Sequence, residues 1–407
     1  MAFRDSPGLL TALIVVALTS AAGAQSAKPP KRPKLAAGAD TNDARVYYDR
    51  GVLLLRREPW AAAAAFYWAS RLEPGWPEAY YAQRVAGLLA QENLLIGYLE
   101  GSRSVVRSPQ TRQLDSLEYR AQRLNPFFLR DLDETLFAGY LIAIYKRQRS
   151  RAGERPLDPT DDAEIRFLVD QYLRSGLNVG VRAALAASRR RFREALEYYR
   201  QMLPEYRHKA WIRVERARIF YVVGAHDSAL VELNEALSEL RQLDTARLTQ
   251  VYVSREMLEH AVGVIHQAAG DTAAARQAYG RALQENLAYA ASHVLLAGLD
   301  LLGGDTATAL SEFELAVQVA PADAPLRVAY GLLLAQSGHP EDAVVHLRRA
   351  AELEPYYATP HYLLGYVADL QGNRDDALAG YRGFLARASA RDRLHDMVAQ
   401  RIVDLSP

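Results

Sequence analysis

The chain has 407 residues, with 49 basic and 48 acidic side chains, a formal charge of +1 and no cysteine. That balance argues against a nucleic-acid footprint, which needs a strongly basic face. Without cysteine there are no disulfides, thiolate metal sites, cysteine nucleophiles or lipid-modified N-terminal cysteine.

Residues 1–24 read as a signal peptide. Arg4 gives a weakly positive start, the run from Leu9 to Ala22 is mostly apolar, and Ala22-Gly23-Ala24 fits small-x-small cleavage before Gln25. The run falls short of the about 20 residues a bilayer span needs. The expected product is therefore exported, periplasmic or secreted, after cleavage near Ala24. An uncleaved signal anchor is the alternative and the only membrane contact expected. Residues 25–43, with Lys28-Pro29-Pro30-Lys31-Arg32-Pro33-Lys34, are expected to form a disordered basic linker, because prolines break regular structure and like charges repel.

Residues 44–110 read as degenerate helices. Ala62 to Pro74, with Phe66 and Ala69, has the pattern of the second helix of a pair and is preceded by Gly51. Residues 111–175 form a helical segment without repeats. Asp133 to Arg149 reads as a helix with Leu136, Phe137, Tyr140, Leu141 and Ile144 on its apolar face. The acidic run Asp131-Leu132-Asp133-Glu134 suits its start, since negative charge favours a helix N-terminus. Pro156 to Asp162 reads as a break followed by a helix cap.

From residue 176 to 390 the sequence repeats. Gly270, Gly304, Gly338 and Gly372 follow one another at a constant 34-residue step, as do Ala275, Ala309, Ala343 and Ala377, and Tyr279, Phe313, Leu347 and Tyr381. Ala282, Ala316 and Ala350 keep the step, as do Pro321 and Pro355, and so do Gly263, Ala297, Gly331 and Gly365. A fixed period of this kind takes precedence over other fold readings. Each unit reads as two apolar-periodic helices around a turn. The turn glycine ends the first helix in the left-handed conformation, and Asp271, Asp305 or Asn373 caps the second. The small residue of the first helix and the alanine of the second let two backbones approach, and the aromatic or leucine fills the space beside them. Pro321 and Pro355 stop the second helix. Upstream, Ala195 with Ala229 and Tyr199 with Leu233 keep the step, with Ala183 and Ala217 in the small-residue slot. The interval from Ala229 to Ala275 is longer than one step, and the excess places an insertion near 237–249. Residues 391–407 are expected to form a capping helix, which a solenoid needs over its last apolar face.

These residues resemble the tetratricopeptide repeat family, whose pattern is W-x-x-L-G-x-x-Y, then A-x-x-x-F, a later alanine and a closing proline. Leu364-Gly365 and Tyr330-Gly331 sit in the L-G slots. Ala309 to Phe313 and Ala377 to Tyr381 match A-x-x-x-F. The tryptophan slot departs from the pattern and holds Glu259, His293, Arg327 and His361, and Phe384 replaces a late alanine. The resemblance implies an all-α, right-handed superhelical solenoid of antiparallel helix pairs. It also implies a concave groove, lined by first helices, that takes an extended or helical peptide. The groove slots lie three before, one after and four after each L-G position. With Trp211 nearby, they single out Trp211, Arg218, Tyr221, His260, Gln267, Tyr362 and Tyr366 as partner contacts, since aromatics and arginine favour interface anchors. Lysine and asparagine, with which some family members grip a chaperone's terminal carboxylate, are missing from these slots.

The sequence contains no phosphate loop, dinucleotide fingerprint or H-E-x-x-H motif. Glu256, Glu259, His260 and His266 are the nearest approach to a metal cluster, and a solvated or packed role suits them better. No cofactor, metal or catalytic residue is expected. The expectation is an exported scaffold or adaptor that binds a protein or peptide partner in its groove. The alternatives are an enzyme or metal-binding site hidden in residues 111–175, and a self-associating structural array.

Overall fold

The computed structural model describes residues 29–153, 162–174, 179–243 and 253–406. The signal peptide, the break at 156–161 and part of the insertion near 237–249 lie outside the described residues. Within them the chain is all helical, with 21 helices and no strand. None of these helices is long and apolar enough to cross a membrane.

The repeating half is built from successive helix pairs: α9 (Val179–Ser188) with α10 (Phe192–Met202), α11 (Ala210–Val222) with α12 (His226–Gln242), and α13 (Arg255–Ala268) with α14 (Thr272–Glu285). α15 (Ala290–Leu302) with α16 (Thr306–Val319), α17 (Ala324–Gln336) with α18 (Pro340–Leu353) and α19 (Thr359–Leu370) with α20 (Arg374–Leu385) continue the series. Each turn is only a few residues long, and the paired helices pack closely, so they run antiparallel. The turn glycines Gly270, Gly304, Gly338 and Gly372 all have φ between 73° and 84°. Asp271 accepts from the Ala274 amide at 2.9 Å and Asp305 from the Thr308 amide at 3.0 Å, as the caps require. α16 ends at Val319 and α18 at Leu353, just before their prolines.

The seam inside each pair follows from its small residues. Ala275, Ala309, Ala343 and Ala377 are wholly buried, with Tyr279, Phe313 and Leu347 equally buried beside them. A methyl group on Gly263 would lie 2.3 Å from the Tyr279 ring, and one on Gly365 would lie 2.7 Å from Tyr381. The same contact appears near the N-terminus, where Gly51 faces Phe66. The departures in the tryptophan slot also have a structural use. Glu259 accepts from Arg281 Nε at 2.8 Å, His293 Nδ1 meets Glu312 at 2.6 Å, and Arg327 meets His346 at 3.2 Å. Each of these pairs joins the first helix of a unit to its second. Polar links therefore stand where packed tryptophan is usual.

The first part of the chain comprises α1 (Ala44–Leu54), α2 (Pro59–Leu72), α3 (Pro77–Leu89), α4 (Glu92–Leu99), α5 (Arg103–Val106), α6 (Pro109–Leu124) and α7 (Asp133–Ala152). It is followed by α8 (Asp162–Arg174). α1 and α2 form a further pair. The helices after them cover the inner face of the array. Tyr80, Val85, Leu88, Leu95 and Leu124 share one buried apolar cluster with Tyr289, Leu296, Leu299, Tyr330 and Leu333. At the far end α21 (His395–Leu405) covers the last pair, burying Val398 and setting Arg401 on Asp369 through two bonds of 2.7 and 2.8 Å.

The basic stretch expected as a disordered linker differs in its described part, residues 29–43. The Arg32 guanidinium lies 4.4 Å from the Trp68 ring and 5.1 Å from Tyr356. Trp68 Nε1 donates to the Pro30 carbonyl at 2.9 Å. Asn42 donates to the Ala386 carbonyl at 3.2 Å, and Asp40 accepts from the Ala390 amide at 2.8 Å. Arg71 pairs with Glu354. Aromatic faces thus hold a charge that solvent would otherwise keep, and the start of the described chain is fastened to its last repeats.

Candidate functional site: the inner face and its cavity

The inner face of the array is occupied by the chain itself. Phe127 stacks on Tyr221 with ring centroids 4.1 Å apart, Arg123 lies 5.4 Å from the Tyr289 ring, and Arg218 lies 5.4 Å from Phe128. The end of α6 and the segment after it therefore dock on α11 and the start of α15 through aromatic and arginine anchors.

This placement sorts the residues singled out from the sequence. Arg218 and Tyr221 pack against Phe128 and Phe127 of the segment after α6 rather than facing an open groove. His260 is completely buried, with Nδ1 3.0 Å from Ser292 Oγ; burial, aided by Arg123, pushes it down to about 3. It is a neutral core group. Gln267 accepts from the Tyr279 hydroxyl at 2.7 Å, closing its own pair. Tyr362 is buried against Phe384, and Tyr366 stacks on it with centroids 6.2 Å apart. Trp211 alone is strongly exposed, at 41%, and meets Tyr206, exposed at 42%, edge to face at 5.8 Å. The suggested metal cluster does not assemble. Glu259 is taken by Arg241 and Arg281, and no group of three or more histidine or acidic residues is placed to hold a metal among the described residues.

Between α3–α7 and α9–α13 the docking leaves a cavity of about 570 Å³. Most of its wall is apolar, including Leu136, Phe137, Ala184, Leu185 and Val214, and Tyr206 and Trp211 line it as well. One wall is an ion cluster. Arg84 reaches Glu118 at 3.1 Å, Asp115 at 3.3 Å and the Tyr98 hydroxyl at 2.6 Å. Arg130 pairs with Glu118 at 2.5 Å and with Glu215 at 3.3 Å. Arg218 pairs with Glu215 at 2.9 Å. Burial would raise Glu118, but Arg130 and Arg84 reverse this and hold it below the ordinary carboxylate value. Asp133 bonds the Tyr81 hydroxyl, and burial pushes it up to about 6 despite Arg130. Burial, with Arg130 beside it, lowers Arg218 from the usual arginine value in spite of Glu215.

Of this charged wall, only Arg218 occupies a groove slot of the repeat pattern. Arg84, Glu118 and Arg130 belong to no repeat, and their partners come from distant parts of the chain, as Arg130 with Glu215 shows. The acidic run at 131–134 suits a helix start. Asp133 does begin α7, but its side chain also lines the cavity.

Pairs of helices stacked in sequence, each unable to cover its own apolar flank, define a helical repeat solenoid. The constant repeat step, the left-handed turn glycines and the small-against-aromatic seams make it one of the tetratricopeptide type. No protein-family model matches the chain, and no curated protein does. Among solved structures, YrrB, a TPR protein with an unusual peptide-binding site, matches at 18% identity and a TM-score of 0.38, over 51% of this chain and 100% of that one. MamA matches at 19% identity and a TM-score of 0.34, over 42% and 94%. TTC0263, a thermophilic TPR protein of Thermus thermophilus, matches at 21% identity and a TM-score of 0.34, over 48% and 98%.

Proposed function

We propose that the chain is an exported scaffold that binds a protein or peptide partner, and that the partner engages the aromatic rim formed by Tyr206 and Trp211. The observation that carries the reading is internal. The inner face of the array already holds α6 and its following segment through Phe127 on Tyr221 and Arg123 on Tyr289. A surface that anchors one helical segment by aromatic and arginine contacts has the composition of a protein-binding surface. With the centre of that face filled, the edge-to-face pair at Tyr206 and Trp211 is the exposed continuation of it. Export rests on the segmented N-terminal sequence, with its apolar run and small-residue cleavage site.

A photoreactive amino acid at Trp211, introduced in the native host, is expected to trap one defined protein, and Tyr206→Ala with Trp211→Ala is expected to weaken the purified complex by about tenfold or more. Equal affinity of that double variant removes the rim from the reading. Fusion of a phosphatase active only outside the cytoplasm reports on export. An inactive fusion to residues 1–60, alongside an active positive control, rejects it.

A further inference from the structure

The contents of the cavity pose a separate question. Its volume of about 570 Å³ falls within the range of small-molecule sites, roughly 300–1,000 Å³. The carboxylates on its charged wall are already engaged, Asp133 with the Tyr81 hydroxyl and beside Arg130. Glu118 receives Arg84, Arg130 and the Gln122 amide, Glu215 receives Arg130 and Arg218, and Glu239 takes the Lys209 backbone amide through both oxygens. The guanidiniums are served less evenly. Arg84 has two carboxylates, whereas Arg218 has only Glu215 and shares it with Arg130. Arg218 is 4% exposed and lines the cavity, and its Nε has no acceptor; the buried Nε of Arg130 lacks one too. The Nε of Arg84 on the same wall also has no hydrogen-bonded acceptor, but Glu118 lies 3.1 Å from it. A buried donor left without an acceptor is costly, so the Nε groups of Arg218 and Arg130 point to a missing acceptor.

We infer that the cavity binds an amphipathic monocarboxylate, its carboxylate received by Arg218 and Arg130 and its apolar chain lying against Leu136, Phe137, Ala184 and Val214. A carboxylate matches the planar donor edge of a guanidinium. The nearby Glu118 and Glu215 disfavour a dianion such as a phosphate monoester. A cationic headgroup would face Arg84, Arg130 and Arg218 on the same wall. The apolar wall supplies the remaining affinity, since each methylene taken out of water adds to it.

The test is titration calorimetry of the purified full chain, stripped of lipid, with three probes of equal chain length: dodecanoate, dodecanol and dodecyltrimethylammonium, all below their aggregation limits. Dodecanoate is expected to bind saturably with one site, and the other two about tenfold more weakly or worse. Arg218→Gln is expected to weaken dodecanoate by about tenfold and to leave dodecanol unchanged. Ala184→Phe fills the apolar end without touching the charged wall and is expected to abolish binding with the circular dichroism spectrum intact. Dodecanol binding as tightly as dodecanoate, undiminished binding by Ala184→Phe, or no saturable dodecanoate binding by the unaltered chain overturns the inference. The probe comparison needs no variant, so it decides the matter even if Arg218→Gln fails to fold. All of these measurements use the isolated chain, and their outcome is separate from that of the partner experiments.

Discussion

The two helices of a repeat unit have different surroundings. α14, α16 and α18 bury a narrow stripe: Ala309, Phe313, Ala316 and Val317 in α16, and Ala343, Leu347 and Ala350 in α18. α15 and α17 are buried almost all round; from Ala324 to Leu334 only Arg327 is not buried. A helix that packs on one neighbour needs one apolar stripe, and a helix buried around its circumference has neighbours on every side. The extra neighbour is the layer made by the helices that follow α2, chiefly α3, α4, α6 and the start of α7. The array is thus only part of the fold, and its inner face serves as a second core.

The largest expected effect tests whether that layer is integral. Glu118 is the carboxylate shared by Arg84 and Arg130, and removing one member of a buried ion cluster strands the others, at about 3–5 kcal/mol. Glu118→Ala is therefore expected to lower the chemical-denaturation midpoint sharply and to loosen α6, read by hydrogen exchange across residues 109–130. A loss under about 1 kcal/mol, typical of surface pairs, would mean that the layer only leans on the array.

Acid titration sharpens the comparison by placing a charge inside the second core. His260 is neutral and held at about 3, against its ordinary 6.5. The unfolded chain takes up the proton first, so stability is complete above about pH 6.5 and falls as pH drops toward 3. The slope from this group is about 1.4 kcal/mol per pH unit. Asp133, raised to about 6 from 3.8, works the other way and loses stability as pH rises through that window. His260→Gln is expected to flatten the acid loss, and Asp133→Asn to steepen it. Identical acid profiles for the unaltered chain and His260→Gln would place His260 in contact with water and outside the second core.

Next in size is the seam within a pair. A methyl group at Gly263 meets the Tyr279 ring, whereas one at Gly280, on the next helix, meets nothing within 4 Å. Gly263→Ala is expected to cost about 1–3 kcal/mol through overpacking. Gly280→Ala is expected to gain about 0.5–1 kcal/mol from helix propensity. Equal effects in thermal melts would mean that the seam relaxes freely.

These contrasts show what the sequence made legible. The seams, turns and caps recur in unit after unit, so each is announced several times, by Ala309 and Ala343, by Phe313 and Leu347, by Gly304 and Gly338. The docking of α1–α6 recurs nowhere. Phe127 on Tyr221, Arg123 on Tyr289 and Arg71 with Glu354 are single pairs between distant positions, and nothing local to either partner announces them. One signal was present. Ala290 to Leu302 and Ala324 to Gln336 are apolar around most of their circumference, with Ser292, His293, Asp300, Arg327 and Gln336 as the polar exceptions, and an open groove lined by first helices would not require so much apolar surface. The aromatic rim is half legible: Trp211 stands out by its residue type beside the groove slots, while Tyr206 follows α10 outside any repeat slot.

The smallest effect concerns the one place where the turn rule is broken. Gly224, in the turn between α11 and α12, has φ 77°, and one repeat earlier the same slot holds Arg190 at φ 57°. Arg190 is the one non-glycine residue at positive φ among the described residues. A side chain in the left-handed region costs about 1–2 kcal/mol. What Arg190 gains in return is an ion pair with Asp131 at 2.9 Å, with both side chains substantially exposed, and such pairs are worth about 0–1 kcal/mol. Arg190→Gly relieves the strain, loses the pair and adds freedom to the unfolded chain, so the net expected gain is about 0.5 kcal/mol. Arg190→Ala keeps the strain and loses the same pair, and should fall below the unaltered chain. If melting temperatures instead rank glycine level with alanine, and both below arginine, the bond to Asp131 outweighs the backbone, and this first turn is held from outside the array by the segment that leads into α7.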